Sequence, residues 1–366
     1  MEIGSVIELD NWHKYGVAKE ERAFWLPFMK DNSHYCTAFY QSGRNAIEAL
    51  LCFLYQNGSI KKLLLPDYMC ETVKDAVTRA GVPWECYGID RAYDFSIEEI
   101  NSKLSDETGI FIAHFFGKKM SEQALNEIVN WKKKGVLVIE DITLSLFSCD
   151  EDLGVGFGTY TLGSLRKWLP VPDGGFVCSE SCEVPQAPIC SCVSKYTDFY
   201  FAVQAMKRDY VQGQYTDSIL KKKYMEIYAM SIKELFSDYR LYPLSDWTRN
   251  YLQNYDIDEV IRKREENYDY LYEKLSDIDW ITCKINRQKG YLPLGMVIQV
   301  EDRDELLSYL IENGIYCNVH WRLEESENQP ELTFLTRHSM TIPCDQRYGK
   351  AEMNYIVDVL KRWKDK

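Results

Sequence analysis

The chain has 366 residues, 46% hydrophobic and 27% charged, with a formal net charge of −13. These proportions exclude a disordered chain, and the length suits one large α/β unit with a smaller partner. The acidic balance, without any long Lys/Arg run, argues against nucleic acid as the partner, although a few local N–H groups can still hold a small anion.

Short apolar runs alternate with helical patterns along the first half. Leu63–Leu65 reads as a buried strand ending at Pro66, and Ile110–His114 and Val136–Glu140 read the same way. Thr159–Ser164 and Gly175–Ser179 are shorter strand candidates. Uninterrupted apolar runs suit strands covered on both faces, as in parallel sheets. Asn45–Leu54 and Ser121–Lys133 carry helical patterns, the second with Ser121 as a helix start. The aromatic and charged stretch from Tyr196 to about Asp238 suggests extended helices, and its aromatic-rich part near Tyr196–Tyr210 is better suited to core and subunit contact than to nucleotide stacking. Asp256–Leu275 is another helix. From Leu292 the order becomes strand (Met296–Val300), helix (Asp302–Asn313), strand (Ile315–His320), strand (Met340–Pro343) and helix (Lys350–Trp363), a compact α+β unit of roughly a hundred residues. Strand–helix alternation ahead of it implies a mostly parallel sheet.

The twelve cysteines are scattered, with Cys190 and Cys192 close together, and no paired C-x-x-C sets have zinc spacing. No metal site is expected, and reduced thiols in a cytoplasmic protein are the simplest account. The opening residues lack the basic-then-apolar pattern of a signal peptide. No apolar run approaches the roughly 20 residues that cross a bilayer, so no membrane partner is expected.

Three segments carry the chemistry. Ser42-Gly43-Arg44-Asn45-Ala46 precedes a helix, where glycine and the helix dipole favour an anion, although alone it is an ordinary cap. Val136 to Asp141 is an apolar strand ending in two carboxylates, at the strand end where open α/β sheets collect ligands. Gly163-Ser164-Leu165-Arg166-Lys167-Trp168, followed by Asp173-Gly174-Gly175, sets a lysine among bulky apolar groups, which lower an amine's pKa and make it a usable nucleophile. Asp141 precedes Lys167 by 26 residues. Glycine turn, aspartate and lysine, in that order, are the marks of a pyridoxal 5'-phosphate (PLP) enzyme of the aspartate-aminotransferase fold type.

These segments resemble the DegT/DnrJ/StrS-like sugar aminotransferases from Ser42 to the C-terminus. Ser42–Ala46 is similar to that family's Ser-Gly-Thr-Ala-Ala turn, Leu65-Pro66-Asp67-Tyr68 to its strand ending in Pro, and His114-Phe115-Phe116-Gly117 to its His-x-Tyr-Gly element. Ile139-Glu140-Asp141 matches its Ile-Glu-Asp, and Lys167 with Asp173-Gly174-Gly175 its lysine and Glu-Gly-Gly. Asn313-Gly314-Ile315 and Thr341-Ile342-Pro343 are weaker matches near the end. The resemblance implies that Lys167 carries PLP as an imine, that Asp141 holds the pyridine nitrogen protonated, and that the N–H groups of Gly43 and Arg44, with Ser42 and Ser164, hold the phosphate. It departs at three positions. Leu144 stands where the family has Gln or His, leaving Thr143 or Ser145 to substitute. Cys70 replaces a ring-stacking aromatic, so either Tyr68 supplies the ring face or the stack is missing. Ser164 replaces a histidine.

Arg166 is a tempting phosphate ligand, but neighbours on a strand point to opposite faces, so if Lys167 faces in, Arg166 is expected to face out. Arg322 is a weaker candidate for a substrate carboxylate or phosphate. His114 is as well read as a satisfied buried histidine, and Glu140 as a structural neighbour. The expected architecture is α/β, a large domain (1–240) with a mostly parallel seven-stranded sheet and a smaller C-terminal α+β domain (241–366). The resemblance implies transfer of an amino group from a donor such as glutamate to a nucleotide-linked keto sugar by a homodimer. The alternatives are another PLP reaction, such as dehydration or elimination, or a PLP-binding homologue without turnover.

Overall fold

The computed structural model describes residues 2–9, 35–148, 158–189, 194–213, 218–253, 255–283 and 285–363. Cys190 and Cys192 lie outside the described residues. A short strand β1 (Ile3–Gly4) precedes the main sheet, which is built from β2 (Cys36–Tyr40), β3 (Lys62–Pro66), β4 (Trp84–Tyr87), β5 (Thr108–Ala113), β6 (Val138–Asp141), β7 (Tyr160–Ser164) and β8 (Gly175–Ser179). Its seven strands run in the order β2-β8-β7-β6-β5-β3-β4. β8 is antiparallel to both neighbours and the other pairs are parallel. The apolar runs read as strands are these strands; the parallel ones are buried on both faces, as such pairing favours, and so is the antiparallel β8.

Helices α1 (Gly43–Gln56), α2 (Glu71–Arg79), α3 (Ile97–Lys103) and α4 (Glu122–Lys133) connect the strands. The Ser42 and Ser121 side chains accept from the N–H groups of Asn45 and Ala124 and fix where α1 and α4 begin. Two long helices follow, α5 (Lys195–Val211) and α6 (Ser218–Ser237), which pack on each other as a hairpin; residues 214–217 lie outside the described residues. Then come α7 (Asp246–Leu252) and α8 (Ile257–Leu275).

The C-terminal part contains β9 (Thr282–Cys283), β10 (Met296–Gln299), α9 (Arg303–Glu312), β11 (Ile315–Tyr316), α10 (Pro330–His338), β12 (Ser339–Ile342) and α11 (Lys350–Trp363). A three-stranded antiparallel sheet, β12-β10-β9, shares a core with α8, α9 and α11. β1 pairs with β11, and Ile3 packs into this second core. The strand expected over Ile315–His320 stops at Tyr316, because its partner β1 offers only two residues. Beyond it, Asn318 alone exchanges backbone bonds with Thr341.

Candidate active site

Parallel pairing brings the carboxyl ends of several strands to one edge. Ala113 is in register with Asp141, and Asp141 with Leu162. A cavity of about 250 Å³ opens there, lined by Ser42, Gly43 and Arg44 at the start of α1, by Asp141 and by Ser164 and Lys167. The three sequence segments thus meet at one place.

The Asp-Gly-Gly after the lysine explains how they are held. Asp173 is buried and accepts from the Ser245 N–H at 2.9 Å, from Ser245 Oγ at 2.9 Å and from Thr248 Oγ1, which anchors the start of α7. Burial pushes its carboxyl up to about 6 despite these donors. Gly174 takes a φ of +126°, which favours glycine; its N–H donates to Gln41 O and its carbonyl accepts from Leu165 N–H. A Cβ on Gly175 would lie 2.1 Å from Ser42 O, so only glycine lets β8 pass the α1 turn. A Cβ on Gly43 would meet the Ser164 Cβ at 3.3 Å, so the α1 turn and the lysine segment are in direct contact.

Asp141 and Lys167 face the cavity and feel each other's charge. Burial raises the Asp141 carboxyl, while the Thr143 side chain and N–H, and then Lys167, pull it down. The Thr143 N–H donates to Asp141 Oδ1 at 2.8 Å. Burial lowers the Lys167 amine, opposed by Cys70 and Asp141 and assisted by Arg166. A lysine in such surroundings has its neutral, nucleophilic form in reach.

The two neighbouring carboxylates part company. Glu140 is fully buried; its Oε1 meets His114 Nε2 at 2.9 Å and its Oε2 accepts from the Gly158 N–H. Glu140 is therefore a structural neighbour, and His114, which also lines the cavity, is satisfied by it.

Three expectations are corrected. Tyr68 does not line the cavity. The Asp67 carboxylate accepts from the N–H groups of Tyr68 and Ile89 and turns the Tyr68 ring into the core, against Tyr93, Phe115 and Trp321. The aromatic rings that line the cavity are those of Trp321, Tyr196 and Phe236, and Trp321 rests edge-on against Tyr68 at 5.2 Å. Arg166 does not face away: Leu165–Lys167 form a single 3₁₀ turn, so strand alternation does not apply, and Arg166 lines the cavity beside Lys167. Arg322 instead forks onto the Asp304 carboxylate at the surface, at 2.8 and 3.2 Å. Of the two proposed substitutes for the missing polar group, Thr143 lines the cavity beside Leu144, whereas the buried Ser145 hydroxyl does not.

Sequence reasoning missed the Arg44 side chain and the wall made by α6. Arg44 is buried, donates to the Leu235 carbonyl, and leaves Nε and Nη1 without acceptors. Ile232, Leu235 and Phe236 of α6 close the cavity on that side. A basic residue at the second helical position was the available signal for Arg44; α6 gave none.

These residues fit PLP. The first N–H groups of α1 have no intrahelical acceptors and open on the cavity, as a phosphate requires. Lys167 brings an amine and Asp141 a carboxylate to the same cavity, the two groups that the aldehyde and the ring nitrogen of such a cofactor would need. No family model and no curated protein matches the sequence. Solved structures do. A putative sugar aminotransferase, Spr1654 of Streptococcus pneumoniae, in PLP-form, matches with a TM-score of 0.67 at 13% identity over 99% of this chain and 98% of that one. Helicobacter pylori PseC, an aminotransferase involved in pseudoaminic acid biosynthesis, gives 0.66 at 14% identity over 100% of both chains. A DegT DnrJ EryC1 StrS aminotransferase from Brucella abortus gives 0.62 at 13% identity over 90% of this chain and 86% of that one. The chain has the α/β fold of these aminotransferases, the group whose motifs its sequence resembles.

Proposed function

We propose that the protein is a PLP-dependent aminotransferase that moves an amino group from an amino acid such as glutamate to a keto sugar carried by a nucleotide. The observation that carries this reading is the meeting of Lys167, Asp141 and the α1 turn in one cavity at the carboxyl edge of the sheet. The similar Streptococcus pneumoniae protein has PLP and PMP forms, the two states a transaminase alternates between. When bound, the cofactor supplies an electron sink for the substrate's amino-bearing carbon. Lys167 holds it and moves the proton at that carbon. Asp141 keeps a proton on the ring nitrogen, and Ser42, Gly43, Arg44 and Ser164 bind the phosphate. Trp321 and α6 exclude water. The sugar acceptor, a role in cell-surface polysaccharide synthesis, a cytoplasmic setting and a homodimer are parts of the same proposal. Exposed Ile219, Met225 and Met230 on α6 support the homodimer.

One spectrum tests the reading. The purified protein with PLP should show imine absorbance, lose it with glutamate as 2-oxoglutarate appears, and retain the cofactor on Lys167 after borohydride. Absence of any imine sinks the proposal. Leu144, apolar at the cavity wall, favours a second reading, elimination or dehydration; imine absorbance that glutamate leaves unchanged would select it over transamination.

A further inference from the structure

A second cavity, of about 430 Å³, begins where the first ends. Its walls include the Gly4–Ile7 segment, Tyr200 and Tyr228 of the hairpin, and Asn318 and His320 of the C-terminal part. Arg166 and Lys167 line both cavities and so stand at their junction.

Three arginines line this second space, and two are already matched. Arg347 meets Asp345 Oδ1 and Glu8 Oε2, each at 2.7 Å. Arg264 donates to Gln346 Oε1 at 2.6 Å and to Leu294 O at 3.0 Å, and lies 4.6 Å from the Trp168 ring centre. Arg166 is different. Its guanidinium carbon lies 4.7 Å from the Tyr200 ring centre and 6.0 Å from that of Tyr196, it also donates to the Tyr200 hydroxyl, and Tyr228 is a third aromatic neighbour, so these partners are all neutral. Among the described residues no carboxylate pairs with it. Aromatic faces offset only part of the cost of withdrawing a guanidinium from water. The remaining demand is for an anion, and the planar fork of an arginine fits a carboxylate at two points.

We propose that Arg166 anchors a carboxylate of the amino-acid substrate in this second cavity, next to the Lys167 amine. The assignment rests on the aminotransferase reading for the identity of the ligand. On that reading the phosphate is met elsewhere, at the α1 turn. The exposed Asn318 offers a further donor, and His320, which burial and the nearby Lys167 charge push down to about 3, lines the same space as a neutral ring. An α-carboxylate sits one carbon from the amino-bearing atom that Lys167 must reach, which suits two adjacent residues of one turn.

Glutarate, which has carboxylates and no amine to react, is the probe. Its binding is measured by calorimetry on the protein with and without PLP, for wild type, R166Q and R166K. The expected result is wild-type binding that weakens about tenfold or more in R166Q, with R166K intermediate, as for loss of a charged fork. Equal glutarate affinity in wild type and R166Q, or no glutarate binding by wild type, overturns the assignment. PLP and phosphate-free pyridoxal are titrated in parallel. A loss in R166Q confined to PLP makes the cofactor phosphate the anion and also overturns it. Should R166Q not fold, R166K carries the same comparison. Failure of the aminotransferase reading shows separately, as a wild-type protein without imine absorbance, whatever glutarate does.

Discussion

The cavity around Lys167 has two kinds of wall. One is built from strand ends and the turns tied to them: Ser42–Arg44, Asp141, Ser164 and Lys167, held by backbone bonds such as Gly174 N–H to Gln41 O at 2.7 Å and Leu165 N–H to Gly174 O at 2.8 Å. The other is the α5–α6 hairpin, with Tyr196, Ile232, Leu235 and Phe236 packed side by side against it. The first wall positions atoms to within hydrogen-bond tolerance. The second shapes and dries the space. On the proposed reading the chemistry falls to the first and the enclosure of the acceptor to the second, and substitutions should separate the two.

The largest effect expected is on the strand-end wall. Lys167→Ala should abolish both imine absorbance and turnover while the protein stays folded, checked by absorbance and circular dichroism. Next, the adjacent carboxylates should respond in opposite ways. Asp141→Ala should keep the cofactor on Lys167 but lower turnover about 10²–10³-fold, the usual loss when one preorganised electrostatic partner is removed. Glu140→Ala, which strips the buried His114 and the Gly158 N–H of their acceptor, should lower stability by about 3–5 kcal/mol in denaturant melts. If Glu140→Ala instead melts like wild type and lowers turnover like Asp141→Ala, the division between the two residues is wrong.

The strand-end wall was legible because its constraints are local in sequence. A Gly that must pass the Ser42 carbonyl, a carboxylate at a strand's end and a lysine before Asp-Gly-Gly each keep a residue type at a fixed interval. Arg166 was misread for a related reason. β7 ends at Ser164, where Leu165 N–H turns to Gly174 O, and the 3₁₀ turn that follows breaks the alternation a strand would impose. The hairpin wall was not legible beyond the presence of long helices. The buried stripe of α5 runs through Tyr196, Tyr200, Val203, Gln204 and Lys207, with Gln204 and Lys207 as its long polar members. They are buried because Gln204 Nε2 donates to Ile7 O and Val171 O, and Lys207 Nζ to Gly4 O and Val6 O. Their partners are the N-terminal segment and the loop after Lys167, remote in sequence.

A third test concerns what fixes the strand-end wall. Asp173 has its carboxyl pushed up to about 6 by burial, above the ordinary 3.8 that an unfolded chain would show. A raised carboxyl favours the folded state most where it is protonated. Its contribution is therefore complete below about pH 4 and lost as the pH rises through 6, a swing of about 3 kcal/mol. Asp173→Asn removes that ionisation. The stability of wild type relative to this variant should fall between pH 4 and pH 7 in paired urea melts, and a difference independent of pH would show that the carboxyl titrates in the ordinary range.

The smallest effect expected is on the hairpin wall. Ile232 presents an apolar, half-buried side chain to the cavity and makes no polar contact there. Ile232→Ser should leave imine absorbance and the first half-reaction with a small amino donor close to wild type, since none of the strand-end groups moves. The KM for the bulkier acceptor should rise about tenfold, the scale of discrimination that an apolar contact in a pocket provides. A fall in kcat with both substrates would mean that the hairpin positions reacting atoms as well as enclosing them, and the contrast between the two walls would then be one of degree. An unchanged KM would mean that the acceptor enters by the opposite side, along the Gly4–Ile7 segment where Arg166 also faces.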